Sequence, residues 1–160
     1  MWQDRGMDEL TLSYTAGLFD GEGTICITVG KAYAEFHTLS PNHSLRVAIG
    51  MTDKPTIEWL HNCWGGSLST QAQIPNNHNW RRCYRWVLTG NQAKDFLYQV
   101  LPYLRYKKEQ AILAIEFQNN RKGGRSKQLT SIIIEERETY RNKLRSMTTG
   151  RMSLPLKGGG

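Results

Sequence analysis

No apolar run in this chain approaches the roughly 18 residues a membrane span requires. The first ten residues carry Asp4, Asp8 and Glu9 and have no apolar stretch of the kind a secretory leader needs. A soluble protein that is not secreted is expected. Cysteine is scarce: Cys26, Cys63 and Cys83 are odd in number, widely spaced and form no Cys-x-x-Cys pair. That argues against a zinc site or a disulfide framework and for an intracellular, reducing compartment. His37, His43, His61 and His78 have neither metal-site nor triad spacing and receive no chemical role. Acids are scarce in one half only. Residues 1–80 hold four Lys/Arg against eight Asp/Glu, whereas residues 81–160 hold 17 against six, within a net charge of +7. With no lipid-binding amphipathic stretch, a basic surface of this size points to nucleic acid, solubility being its other use.

At 160 residues the chain is one domain, large enough to bury roughly two thirds of its unfolded surface without disulfides. Periodicity gives a helix from about residue 8, then strands at Thr24–Val29 and Ser44–Met51 whose apolar residues alternate with polar ones. Ile25, Ile27, Val29, Leu45, Val47, Ile49 and Met51 form the inward set. A helix from Asp53 to about Cys63 follows, with Pro55 in its first turn and Gly65-Gly66 ending it. Next come strands at Ser67–Gln71 and Trp80–Leu88, helices at about Asn91–Leu101 and Tyr103–Asn119 with a break at Pro102, and a last helix over residues 129–147. Leu129, Ile132, Ile133, Tyr140 and Leu144 share one side of that last helix. The 30–43 connection is long for a hairpin, 121–127 is a basic link, and the ends, 1–7 and 148–160, read as an extension and a flexible tail around one domain at 8–147.

The most informative stretch is Thr15-Ala-Gly-Leu-Phe-Asp-Gly-Glu-Gly23. Ser13, Ala16, Gly17, Asp20 and Gly21 lie on one helical stripe. Leu10, Tyr14 and Leu18 line a neighbouring face suited to a core. Glycine inside a helix costs roughly 1 kcal/mol against alanine, and close approach of a second helix would recover it, by analogy with small-xxx-small packing. Asp8 is the expected N-cap and Gly21 or Gly23 the stop. Glu22 then projects past the helix end. Asp20-Gly-Glu-Gly23 taken alone is either a solvated turn or the acid of a site. It is too short for a calcium loop.

The whole stretch resembles the signature helix of the LAGLIDADG homing endonucleases from Thr15 to Gly23, and the likeness of pattern extends over roughly residues 8 to 120. Thr15 and Gly21 depart from the name-giving letters, and Glu22 replaces the more frequent Asp. The resemblance implies an α+β fold, αββαββα with a saddle-shaped antiparallel sheet and additional C-terminal helices. It also implies a Mg²⁺-dependent DNA endonuclease, with Mn²⁺ or Ca²⁺ able to occupy the same sites. Glu22 and the Gly21 carbonyl are the implied metal ligands, and Lys107, within Leu101-Pro-Tyr-Leu-Arg-Tyr-Lys-Lys108, matches the family's catalytic lysine. Asp20 is expected to hold the helix end. Met51 stands where some members carry a polar residue, and Pro55, beside Lys54, where some carry a basic one.

No second copy of the signature follows, so a C₂ homodimer is expected, with Ser13, Ala16, Gly17 and Asp20 at its interface. The outward strand positions Cys26, Thr28, Arg46, Ser67, Ser69, Gln71, Arg82 and Tyr84 would read double-stranded DNA as a β-ribbon in the major groove. In the run Trp80-Arg-Arg-Cys-Tyr-Arg-Trp86, either Arg81 and Arg85 or Arg82 and Tyr84 face the DNA. The implied activity is a double-strand cut in a long pseudo-palindromic site, leaving short 3′ overhangs. It would operate in the cytoplasm of a prokaryote or in an organelle, in service of intron homing. The alternatives are a non-cleaving maturase bound to intron RNA, a DNA-binding regulator, and a basic interaction module without nuclease chemistry. Retention of the acid at Glu22 favours the enzyme.

Overall fold

A computed structural model describes residues 7–30, 41–71, 81–121 and 129–149. The expectations for the 30–43 connection, the hairpin loop before Trp80, the basic link, the chain ends, His37 and His78 fall wholly or mostly outside these residues. The described elements run α1 (Glu9–Glu22), β1 (Gly23–Gly30), β2 (Asn42–Met51), α2 (Lys54–Trp64), β3 (Ser67–Thr70), β4 (Tyr84–Thr89), α3 (Gly90–Val100), a 3₁₀ turn (Leu101–Tyr103), α4 (Lys108–Asn119) and α5 (Ser131–Thr149). This is the expected αββαββα order followed by two further helices, an α+β fold. No helix among the described residues is long and apolar enough to cross a membrane.

The predicted N-cap at Asp8 forms, and Asp53, at the predicted start of α2, caps that helix in the same way. The Asp8 carboxylate accepts from the Thr11 N–H at 2.7 Å and that of Asp53 from the Thr56 N–H at 3.1 Å, each cap being worth about 1 kcal/mol. Gly23 ends α1 because a Cβ there would overlap both the ring and the carbonyl oxygen of Phe19. Gly66 has φ +87°, and a Cβ would collide with the Val87 carbonyl. The glycine pair after α2 therefore lets the chain turn tightly against β4, where the neighbouring Gly65 carbonyl accepts the Trp86 indole N–H at 2.8 Å.

The sheet is antiparallel in the order β1-β2-β4-β3. Ile25, Ile27, Leu45, Val47, Ile49, Trp86 and Leu88 are buried on one face, beneath the helices. Phe96 of α3 sits at the centre of that core, edge-to-face with Phe19 at 5.2 Å, Trp64 at 4.8 Å and Trp86 at 5.2 Å. The opposite sheet face carries no buried residue: Thr24, Cys26, Thr28, Ser44, Arg46, Ala48, Gly50, Arg85, Val87, Thr89, Ser67 and Ser69 all keep exposure. Period-two alternation therefore separates a core face from an uncovered one, as the sequence predicts for the first hairpin, except that Val29 near the end of β1 is 37% exposed.

Three expectations need correction. The core face of α1 is Thr15, Ala16 and Phe19, while Leu10 and Tyr14 are 82% and 56% exposed. The helix is thus turned from its expected setting, because Phe19 reaches the Phe96 cluster while Tyr14 packs edge-on against Trp59 of α2 at 5.4 Å. β4 begins at Tyr84 rather than Trp80, and α4 at Lys108 rather than Tyr103. On α5, Leu144 is buried, but Ile132 is 74% exposed and Arg137 occupies the inward side instead.

α5 is fastened to the sheet by a polar contact. His43, buried on the core side of β2, places Nε2 2.9 Å from Glu138 Oε2, and Arg141 donates to Glu138 Oε1 at 2.7 Å. The bonds from His43 and then Arg141 hold the Glu138 carboxyl below its ordinary value of 4.5. A folded-state value below the unfolded one gives stability that is fully present above the ordinary value and is lost as pH falls through the folded one. Thermal melts should therefore lose more stability on acidification below about pH 4.5 in the wild type than in Glu138→Gln, which has no carboxyl to titrate. Parallel pH profiles would remove Glu138 from the account.

Candidate functional site

The C-terminal turn of α1 brings together the acids and a distant base. A helix C-terminus presents carbonyl oxygens and partial negative charge, normally offset by a basic side chain nearby. α1 has none in its last turn. Lys107, 87 residues along the chain, takes that place: its Nζ donates to the Asp20 carbonyl at 2.6 Å. The Asp20 carboxylate reaches back to the same segment, Oδ2 accepting from the Arg105 N–H at 2.8 Å and Oδ1 from the Lys107 N–H at 2.9 Å. Hydrogen bonds to a charged group contribute about 1.5–3 kcal/mol each, and these hold the chain extended at Leu104 before α4 begins. They explain why α4 starts late.

Gly21 and Glu22 are the exposed tip of this arrangement. An anionic side chain at the negative end of a helix is unfavourable by about 0.3–1 kcal/mol unless a cation is near. Glu22 and the Gly21 carbonyl are therefore oxygen donors in a place that favours positive charge, and hard oxygen donors suit Mg²⁺ or Ca²⁺. Among the described residues no group of three or more His, Cys, Asp or Glu side chains gathers around a point.

The residues expected at a dimer interface divide. Ser13 and Gly17 are exposed on the outer face of α1 in line with Gly21, flanked by Leu10 and Tyr14. A Cβ at Gly17 or Gly21 would meet nothing within 4 Å. Ser13 also borders an open cleft lined by Pro102, Tyr103, Leu104, Arg105 and Lys108. Ala16, by contrast, is 0% exposed in its own core and has no surface to give a partner. Asp20 is committed to Arg105 and Lys107. Leu10 and Tyr14, expected on a core face, lie exposed beside this stripe.

On the uncovered sheet face the register sets Cys26 opposite Arg46 and Arg46 opposite Thr89. A second row runs Gly50, Arg85, Ser69. Thr28 Oγ1 donates to the Ser44 carbonyl at 3.3 Å. Burial pushes the Cys26 thiol up, against the opposing influence of Arg46, Arg141 and Arg85, so it remains a neutral thiol. Of the sequence candidates, Cys26, Thr28, Arg46, Ser67 and Ser69 lie on this face, and Gln71 follows β3, its N–H donating to the Cys83 carbonyl at 2.9 Å. Tyr84 does not. It pairs with Met51 and Thr70 and packs against the core on the Trp86 side. Arg82 precedes the strand. Arg85, two residues past the ambiguous Cys83, is the arginine of β4 that belongs to the open face, and only the true start of β4 could have distinguished it from Tyr84.

No protein-family model matches the sequence, and no curated protein does. Solved structures do match in fold. The homing endonuclease I-CvuI, solved with the I-CreI target and 2 mM Mg and with its DNA not cleaved, aligns at a TM-score of 0.68 and 14% identity, covering 87% of this chain and 82% of that one. The archaeal intron-encoded homing endonuclease I-Vdi141I, complexed with DNA, aligns at 0.56 and 15% identity over 87% of this chain and 99% of that one. The LAGLIDADG homing endonuclease I-LtrWI, bound to target DNA, aligns at 0.59 and 15% identity; 88% of this chain covers 46% of it.

Proposed function

We propose that this chain, which has the fold of the LAGLIDADG homing endonucleases, is itself a site-specific DNA endonuclease acting as a homodimer. The observation that carries the reading is the Lys107 ammonium bound to the Asp20 carbonyl in the last turn of α1, one and two residues before the exposed Gly21 and Glu22, where the chain enters a sheet whose uncovered face carries polar and basic side chains. Two copies joined along the outer face of α1 would bring their Glu22 carboxylates near a common axis. The Gly21 carbonyl and Glu22 would hold Mg²⁺, which when bound supplies charge neutralisation at the phosphate and an acidified water. Glu22, as the acidic ligand, would hold the ion at the helix tip. Lys107 stabilises the negative charge that develops there in the transition state. Arg46, Arg85, Cys26, Thr28, Ser67, Ser69 and Gln71 would contact the duplex from the sheet. The coverage of I-LtrWI, for which one copy of this chain accounts for 46%, supports a pair of such units as the working assembly.

The direct test is to incubate the protein with a randomised DNA library and Mg²⁺ and sequence the cut ends. A long pseudo-palindromic site cut on both strands with short 3′ overhangs is expected. Binding to DNA or intron RNA without cuts would instead support the maturase or regulator. DNA affinity should also fall steeply and linearly in log salt, and Arg85→Ala should flatten that slope by about one if it contacts a phosphate, or relax specificity at one base pair at a cost of about 1–3 kcal/mol. A flat salt response would remove DNA as the ligand.

A further inference from the structure

We infer that Asp20 is a positioning residue that acts through Lys107, an inference that rests on the nuclease reading above. Its three bonds clamp one short segment, two on the backbone and one on the Lys107 side chain. The carboxylate fixes the backbone on both sides of Tyr106, through the Arg105 and Lys107 N–H groups at 2.8 and 2.9 Å. The carbonyl of the same residue then receives the Lys107 ammonium at 2.6 Å. Asp20 thus fixes the backbone from which the lysine leaves the chain and, together with the Tyr106 ring 4.9 Å from Nζ, holds its charged end one residue from Gly21 and two from Glu22. Lys107 is 8% exposed and immediately precedes α4, and it makes no side-chain cap to that helix. The segment from Leu104 to Lys107 is therefore oriented from α1. An amide at position 20 keeps one acceptor oxygen and turns an NH₂ group toward a backbone N–H donor, which opens one arm of the clamp.

The test combines Asp20→Asn, Lys107→Met and the double variant, each measured as single-turnover cleavage of the site that the wild type selects. Asp20→Asn should slow cleavage about tenfold or more while DNA affinity in Ca²⁺ changes less than about twofold. The double variant should be no slower than Lys107→Met, since two residues acting as one unit are not additive. A readout without turnover accompanies these: trace acetic anhydride, followed by peptide mass spectrometry, should acetylate Lys107 about threefold faster or more in Asp20→Asn, because a released amine is more accessible. Asp20→Glu keeps the carboxylate and should recover part of the rate, even if Asp20→Asn proves to melt early. Multiplying losses in the double variant, or unchanged acetylation, overturns the inference. A wild type that cuts no sequence overturns the nuclease reading and the catalytic role of the clamp together. Faster acetylation in that case would show Asp20 to be a purely structural tie, so the two failures are distinguishable.

Discussion

Glu22→Gln is expected to reduce cleavage by about a hundredfold or more, the order of effect seen when one electrostatic contributor is removed from a preorganised site. The two side chains have nearly the same shape, and Glu22 is exposed at the end of α1 with no hydrogen-bond partner among those the structure assigns to the core. The fold should be unaffected. What the substitution removes is a negative charge at a helix end that already disfavours one. DNA binding in the absence of divalent metal should accordingly be unchanged or slightly tighter, because an anion has been withdrawn from beside the phosphates. Cleavage would be followed under single-turnover conditions with enzyme in excess, and binding in EDTA by fluorescence anisotropy. Full cleavage by the variant would rule out Glu22 as the metal-holding acid.

Gly17→Leu is the second large effect, and its sign differs between monomer and dimer. Within one chain a Cβ at Gly17 meets nothing within 4 Å, and leucine is the better helix former by roughly 1 kcal/mol. The isolated subunit should therefore be as stable as the wild type or slightly more so. In the proposed dimer the same side chain would appear twice, once from each copy, where the helices approach. Overpacking of about 1–3 kcal/mol per copy would weaken dimerisation by about 30- to 10⁴-fold. Light scattering and sedimentation over a concentration series would give the association constant, and a chemical melt the subunit stability. An unmutated protein that is monomeric at all concentrations, or a variant that dimerises normally, would move the interface away from α1.

Much of this was legible in the chain because it depends on local rules. The caps at Asp8 and Asp53, the glycine stop at 65–66 and the period-two strands β1 and β2 each follow from a few adjacent residues. What failed was decided by partners far away. The setting of α1 depends on the Phe19 ring finding Phe96, and Leu10 and Tyr14 gave no hint that they would stay exposed. The start of α4 depends on a carboxylate 85 residues earlier in the sequence. The face of Arg85 depends on where β4 begins. His43 carried no spacing signal, and its partner Glu138 is 95 residues distant. For the candidate site, Glu22, Gly21 and Lys107 came from a resemblance of pattern; the tie of Lys107 to Asp20 is a tertiary property that composition does not encode.

The alternation along β1, β2 and β4 has a consequence for how such a protein can change over generations. Each strand commits every second residue to the core and leaves most of the intervening side chains with few folding contacts, the Thr28 bond to the Ser44 carbonyl being one that remains. Substitutions at uncovered positions such as 28, 46 or 85 should cost the fold little, on the order of ±0.5 kcal/mol, while altering what the surface recognises. A change at Leu45 or Trp86 would open a cavity costing several times as much, about 2–5 kcal/mol. Recognition can therefore drift quickly on a scaffold that drifts slowly. A lineage of such chains could move to a new target one open-face residue at a time without passing through an unfolded intermediate.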